Sequence, residues 1–391
     1  MAVSETRREI ALADNTIGRP EIDAVTDVLN AGWLSADRRT RAFEEEFAAA
    51  AGARDAVFVS SGTAALHLAV LALGLRPGDE VIMPSLTFVA GAACCALHGV
   101  VPVLADIHGA RDLTVDPADI ERLITERTRA IVVMHYGGYP ASVARVRALA
   151  DRHGLALVED AAHSPVVSTP DGVLGTVGDI GCFSFFATKN LTTGEGGMVL
   201  ARDAGLLARV RSLRSHCIDG SSRSRTASGS AGYDVTGVGL NYRPTEIAAA
   251  LGSVQLGRLG DDRSRRSELA SLYHGGLAGI SGLDVPFAGH QGASAHHLLP
   301  VLLPEGSDRD RIRQRLRDAG VPTSVHYPPT HLMTYYRDDP DGLRAGAIPR
   351  ERLARTEAVA RRLLSLPLHA RLGDDDVAYV VGRLADVLAG E

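Results

Sequence analysis

Residues 56–75 read A-V-F-V-S-S-G-T-A-A-L-H-L-A-V-L-A-L-G-L: a short apolar strand, a Ser-Gly-Thr turn, and an Ala/Leu-rich helix ended by Gly74. A strand that turns straight into a helix presents the helix start, with its unpaired N–H groups and positive dipole end, just past the strand's carboxyl end. Two readings of Gly62 and Thr63 follow. Ser61 or Thr63 caps the helix in the ordinary way, or the turn seats an anion such as phosphate. His67, inside this helix, reads as a packed residue.

Outward from this unit the same rhythm repeats. Apolar runs at residues 78–84, 100–107, 130–135 and 155–159 read as strands, and residues 90–98, 117–124 and 143–153 as helices between them. Strands alternating with helices predict an α/β fold with a mostly parallel central sheet covered by helices. Ligands of such sheets bind beyond the carboxyl ends of the strands. That rule singles out residues 60–63, 85–88, 135–136, 160–163 and 184–189. Two amphipathic helices, residues 21–31 and 43–51, precede the first strand, with the chain's one tryptophan, Trp33, in the break after the first of them. A loop tryptophan is either a packing anchor or part of a binding surface.

The second part of the chain has a different order. Residues 202–219 are basic and helical, residues 220–232 form a Ser/Arg/Gly-rich loop, and a long helix opens near Pro244 and Thr245. Polar helix continues over residues 261–275. Strands are predicted at 296–303 and 321–327, and helices at 308–319, 353–364 and 374–388. This reads as a smaller C-terminal α+β domain, residues 256–391, after a large cofactor-binding domain, residues 1–255.

Composition narrows the function. The 391 residues are 45% apolar and 23% charged, with a formal net charge of -6. No basic field is available for nucleic acid or an anionic membrane, so substrate anions need local sites. The four cysteines form no C-x-x-C pair, and neither a metal site nor a disulfide framework is indicated. No apolar run is long enough for a membrane span, which makes the cytoplasm the default location.

The chemistry concentrates in residues 178–200, G-D-I-G-C-F-S-F-F-A-T-K-N-L-T-T-G-E-G-G-M-V-L. Lys189 follows an aromatic run (Phe183, Phe185, Phe186), and a lysine so walled is desolvated and less basic, suited to act as a nucleophile. The plain alternative is a lysine reaching out to water. Asp160, leaving the strand of residues 155–159, is either a helix cap or a carboxylate placed against a ring nitrogen. A single carbonyl-bearing cofactor reconciles these points: Schiff base on Lys189, ring nitrogen against Asp160, phosphate on Gly62 and Thr63 with the Ser184 hydroxyl.

The motifs S-S-G-T-A-A-L-H-L, G-D-E-V-I-M-P-S-L-T-F, V-E-D-A-A-H-S, G-C-F-S-F-F-A-T-K-N-L-T-T-G-E-G-G and G-L-N-Y-R-P-T-E-I resemble those of the DegT-type (DegT/StrS) sugar aminotransferases, pyridoxal 5′-phosphate enzymes of fold type I. The resemblance spans nearly the whole chain and implies a homodimer with shared active sites. It makes Lys189 the Schiff-base lysine and Asp160 the partner of the pyridine nitrogen. His163 takes a place often held by glutamine, near the ring hydroxyl. Phe88 stacks on the ring, Gly62, Thr63 and Ser184 bind phosphate, and Asn241 reaches the other subunit's cofactor.

The reaction implied is transfer of an amino group, usually from glutamate, to a nucleotide-linked keto-sugar. Lys189 itself favours amino transfer, because relatives with histidine there dehydrate instead. His163 and the segment of residues 135–140 look closer to members acting on 4-keto sugars than to those with glutamine at both places. A keto-cyclitol acceptor, or a regulatory protein that keeps the fold without turnover, are the alternatives. Substrate contacts are expected from Trp33, Arg38, His326, Tyr327 and His331. The Asp37-Arg38-Arg39 run departs from the family's Gly-Pro, and its arginines meet a diphosphate or form a solvated turn.

Overall fold

The computed structural model describes residues 9–218, 233–339 and 353–390, so the Ser/Arg-rich stretch of residues 220–232 lies outside the described residues. A seven-stranded sheet forms the centre: β1 (Val57–Val59), β2 (Glu80–Pro84), β3 (Val101–Ala105), β4 (Thr128–Met134), β5 (Ala156–Asp160), β6 (Ile180–Ser184) and β7 (Gly197–Ala201). Their spatial order is β1-β7-β6-β5-β4-β2-β3. The pairs from β6 to β3 are parallel, and β7 runs antiparallel between β1 and β6. Helices cover both faces, which is why the parallel strands read as almost unbroken apolar runs.

The reversal into β7 depends on glycine. A Cβ on Gly197 would lie 2.4 Å from the Ser61 carbonyl oxygen and 2.7 Å from that of Phe183, so only glycine lets β7 slip between β1 and β6. This close approach draws the Ser61–Thr63 turn beside the end of β6. Two distant segments of the site meet through it.

The outer edge of β1 is closed by side chains. Glu44 Oε1 accepts from Phe58 N–H at 2.9 Å, while Arg211 donates to the Ala56 carbonyl at 2.8 Å and Arg214 to the Phe58 carbonyl at 2.7 Å. With its backbone groups taken, β1 offers no template for another strand. Beneath it, Phe43 and Phe47 of the helix Arg38–Ala51 pack edge-on against Phe58 and Phe183, each pair with centroids 5.0 Å apart. Phe185 joins the same cluster. Of the aromatic run before Lys189, then, Phe185 is a core residue, and Phe186 stands exposed at the mouth of a cavity.

A helix of 32 residues, Glu246–Leu277, connects the two cores. Its first half packs into the phenylalanine cluster through Ala248, Ala249 and Leu259. Its second half, through Leu269, Tyr273 and Leu277, joins a separate core built on strands β8 (Leu299–Leu302) and β9 (Leu363–Leu366). The division expected between residues 255 and 256 therefore falls inside one continuous helix, and Ile10 packs with the second core. Two expectations are corrected here. Residues 321–327 make only a single bridge, Ser324 to Ser365. The helix expected through residue 364 stops at Arg362, because the next four residues are buried on both sides and pair antiparallel with β8.

Candidate active site

A cavity of about 400 Å³ opens at the carboxyl ends of β1, β5 and β6. Gly62, Thr63, Phe88, Asp160, His163, Ser184, Lys189, His326 and Tyr327 all line it, with Phe186 of the aromatic run, together with Glu195 and His297, which sequence reasoning did not single out. Trp33, Arg38, Asn241 and His331 do not line it. His331 is buried behind the wall, its Nδ1 2.7 Å from Ser85 Oγ. The Trp33–Arg38 loop is fastened to the start of the long helix, where the buried Glu246 carboxylate accepts from the N–H groups of Asp37, Arg39 and Thr40 at 2.7, 2.8 and 2.9 Å. Ser35 bridges Thr245, and Asn241 bridges Ser215 on the same side.

One end of the cavity is formed by a helix start. Ser61 caps the helix Gly62–Ala72, its Oγ accepting from Ala64 N–H at 3.0 Å, and Ala65 N–H takes the Ser61 carbonyl. Ser61 is thus the cap, and among the described residues no acceptor meets the Gly62 and Thr63 N–H groups, which stay open. A Cβ on Gly62 would lie 2.7 Å from Ser184 Cβ and 3.1 Å from its Oγ. The glycine thus lets the Ser184 hydroxyl stand directly at the helix start, adding a donor to the positive dipole end.

At the other end stand Lys189 and Asp160. Lys189 lies in the turn after β6, its N–H bonded to the Phe186 carbonyl at 2.9 Å. Burial brings its ammonium from 10.5 down to about 8, with the Asp160 carboxylate pulling the other way. Asp160 ends β5 and is buried. Its own pKa is raised by desolvation, against the N–H of Ala162 and the charge of Lys189. Its Oδ1 accepts from Ala162 N–H at 3.1 Å, and among the described residues no donor reaches Oδ2. A carboxylate in this state favours a protonated partner.

The polar wall is built of histidines whose tautomers can be read from their neighbours. Gly137 N–H donates to His163 Nδ1 at 3.2 Å, so the His163 proton sits on Nε2, which meets Tyr327 Oη at 2.8 Å. Tyr327 therefore accepts, and its own proton is free to donate into the cavity. Asn190 donates from Nδ2 to the Ala295 carbonyl at 2.6 Å, which orients its amide and leaves Oδ1 to accept from His297 Nδ1–H at 2.9 Å. Nε2 of His297 is then a lone-pair acceptor. Burial holds His163 and His297 well below the ordinary imidazole range, and His326 near 4, with Lys189 pushing each further down. The histidine part of the wall is thus neutral.

His135 belongs to the support rather than the lining. Its Nδ1 accepts from Ala141 N–H, and its Nε2–H donates to Glu159 at 2.9 Å. Glu159 also takes the N–H groups of Gly175 and Gly178. Burial alone would raise this carboxyl, but His135 and the two amides outweigh it and hold it low. The pair locks β4 to β5 directly beside Asp160.

A lysine of lowered basicity and a buried carboxylate, sharing one cavity with an open helix start, are the arrangement of a fold type I aminotransferase, and the sheet order carries that fold. The sequence profile of the DegT/DnrJ/EryC1/StrS aminotransferase family matches residues 15–385, and the chain belongs to this family. It is 39% identical over 379 residues to the spore coat polysaccharide biosynthesis protein SpsC of Bacillus subtilis, covering 96% of each chain. Among solved structures it resembles the aminotransferase TlmJ of Streptoalloteichus hindustanus, with 36% identity, a TM-score of 0.89, and 98% and 100% of the two chains covered. It also resembles DesI, solved in the presence of its TDP-sugar product, with 33% identity, a TM-score of 0.86, and 98% and 94% covered.

Proposed function

We propose that this enzyme uses pyridoxal 5′-phosphate to move an amino group from glutamate to the keto group of a nucleotide-diphosphate-linked sugar, with a 4-keto sugar as the acceptor. The observation that carries the reading is Lys189, brought to about 8 by burial and sharing one cavity with Asp160 and the open helix start. Similarity to a protein solved with a TDP-sugar product and to a polysaccharide biosynthesis protein supports a nucleotide-linked sugar.

The residues present fit the cofactor. Gly62 and Thr63 N–H with Ser184 Oγ would hold its phosphate, Asp160 its ring nitrogen, Phe88 one ring face, and Lys189 its carbonyl carbon. His163, whose outward proton is already given to Tyr327, would act near the ring hydroxyl through that tyrosine. When bound, pyridoxal phosphate supplies an electron sink for the carbanion left when a proton departs the substrate carbon. Lys189, a substantial fraction of it unprotonated near neutral pH, moves that proton. Asp160 keeps its partner nitrogen protonated, because a buried carboxylate without a cation is costly. Tyr327 donates to the substrate, and the neutral histidine wall adds no competing charge.

The cavity takes no Asn241, Trp33 or Arg38 from its own chain. A second copy of the chain supplying them is the homodimer we infer, and their common attachment to the start of the long helix supports their acting as a unit. The test is complementation: mixing and refolding Lys189→Ala with Asn241→Ala should restore activity that neither variant has alone. If the mixture stays inactive while wild type refolds, the shared site is wrong. For the reaction itself, borohydride reduction of the pyridoxal phosphate-loaded protein should label the peptide carrying Lys189. Labelling elsewhere would refute the assignment.

A further inference from the structure

A small annex of about 70 Å³ adjoins the Lys189 cavity, and the two share Thr188, His297 and His326 as lining. Its other side is apolar: Leu12 and Ala13 come from the N-terminal segment, Leu366 and Leu368 from β9 and just past it. The N-terminal segment is stitched in place there, because Leu368 N–H donates to the Leu12 carbonyl at 3.3 Å and His369 Nε2 lies 3.2 Å from the Ala11 carbonyl.

His297, buried between the two spaces, is held from several sides. Its backbone N–H donates to the Gly137 carbonyl at 2.8 Å, and the nearby Ala295 N–H donates to that of Gly138 at 3.0 Å. A Cβ on Gly138, at φ +94°, would lie 2.9 Å from His296 N, so glycine lets this segment dock. Asn190 Oδ1 takes the His297 Nδ1–H, and the ring lies 4.4 Å from that of His163, whose own proton goes to Tyr327. The ring is thus fixed with a lone pair on Nε2 that no donor meets among the described residues. A buried acceptor left unmet is costly, so the ligand of this place must bring a donor.

We propose that the annex holds the water that amino transfer consumes and releases, its O–H donated to His297 Nε2. The inference rests on the amino-transfer reading. In the glutamate half, a carbon–nitrogen double bond gives way to a carbon–oxygen double bond: the oxygen comes from one water, and both of its protons end on the departing nitrogen. The acceptor half runs the same exchange backwards and sets one water free. Neither step is a redox change. A bound water needs polar partners and about 30 Å³ of room, so the annex takes about two. The hydroxyl residues Thr188 and Ser365 line it beside His297. An apolar substituent of a substrate would fill the same volume and leave Nε2 unmet.

Two readouts test this, and the first needs no turnover. Crystals of the pyridoxal phosphate-loaded enzyme should show ordered water within hydrogen-bonding distance of His297 Nε2, and Ala13→Leu, whose added carbons enter the annex, should lack it. The second compares two rates in deuterium oxide. Exchange of the glutamate Cα hydrogen needs Lys189 but no water at the reacting carbon, whereas formation of 2-oxoglutarate needs both. In Ala13→Leu, and in His297→Phe, which keeps a ring and removes the acceptor, the ratio of 2-oxoglutarate formed to hydrogen exchanged should fall about 5- to 150-fold. His297→Gln, whose amide oxygen accepts in place of the ring nitrogen, should lose less. No ordered water at His297 in wild type, an unchanged ratio in both variants, or an equal loss of exchange and 2-oxoglutarate overturns the proposal. Exchange by wild type reads Lys189 separately, so a failure confined to the water leaves the amino-transfer reading standing, and wild type that exchanges nothing removes both.

Discussion

The basicity of Lys189 is open to direct titration. With its ammonium brought to about 8, about a quarter of the residue is free amine at about pH 7.5, against about 0.1% for an ordinary lysine. That is about a two-hundredfold gain in reactive amine, from burial alone. The apo-protein should therefore combine with pyridoxal phosphate at a rate that climbs with pH to a half-maximum near 8 and is flat above about 9. Stopped borohydride reduction at a series of pH values, followed by peptide mapping, gives the profile. Asp160→Asn removes the negative charge that favours the ammonium, so its profile should move to lower pH. A wild-type rate that keeps rising to about pH 10, or an Asp160→Asn profile displaced upward, would refute the reasoning.

The same burial has a cost in stability. The folded state prefers the neutral amine, so the unfolded chain binds more protons between about pH 8 and 10.4, and stability rises with pH across that window. Below it the penalty stands in full, so Lys189→Met should stabilise the apo-protein at pH 7 by about 1–2 kcal/mol, less than the ~3 kcal/mol of the whole shift because the side chain is partly open to water. Urea unfolding of both proteins checks this, and a less stable variant contradicts it. Gly62→Ala drives a methyl into Ser184, an overpacking of about 1–3 kcal/mol, and equilibrium dialysis should show pyridoxal phosphate held about 5- to 150-fold more weakly, whereas unchanged affinity would mean that the helix start is not the phosphate seat. Tyr327→Phe leaves the His163 Nε2–H without its acceptor and removes the free hydroxyl, a loss of about 1–3 kcal/mol to be read as about 5- to 150-fold in kcat/KM. His163→Gln, whose amide can accept from Gly137 and donate to Tyr327, should stay within about tenfold of wild type; an equal loss in both variants would show that the ring and not the hydrogen-bond polarity matters.

The parts of the site legible in the sequence are those carried by single strand ends. Asp160, Ser184 and Lys189 follow apolar strands closely enough that position and chemistry are read together, and the open amides of Gly62 and Thr63 follow from strand, turn and helix in twenty residues. His297 was not legible, because its place depends on Asn190, 107 positions away, and its neighbours H-H-L-L-P read only as a strand. The Glu44–Arg211–Arg214 group is hidden for the same reason: its partners are 167 and 170 positions apart, and only the sheet order, with β1 at an edge, brings them together. Strand β9 was missed because Leu363–Leu366 continues the apolar spacing of the helix before it, and burial on both sides, which decides for a strand, is a property of the packed domain. Trp33 and Arg38 illustrate the converse. Their residue types suit a substrate, yet neither lines this chain's own cavity.

The most direct test of the central claim is the complete exchange measured in its two halves. Purified protein loaded with pyridoxal phosphate is given glutamate alone, 2-oxoglutarate is quantified, and a nucleotide-linked 4-keto sugar is then added and the nucleotide product weighed by mass spectrometry. The account predicts 2-oxoglutarate stoichiometric with active sites, then a product in which the keto oxygen has been replaced by an amino group, and neither in Lys189→Ala. Release of 2-oxoglutarate by the Lys189→Ala protein, or wild type that leaves both glutamate and every keto-sugar nucleotide unchanged, would contradict it.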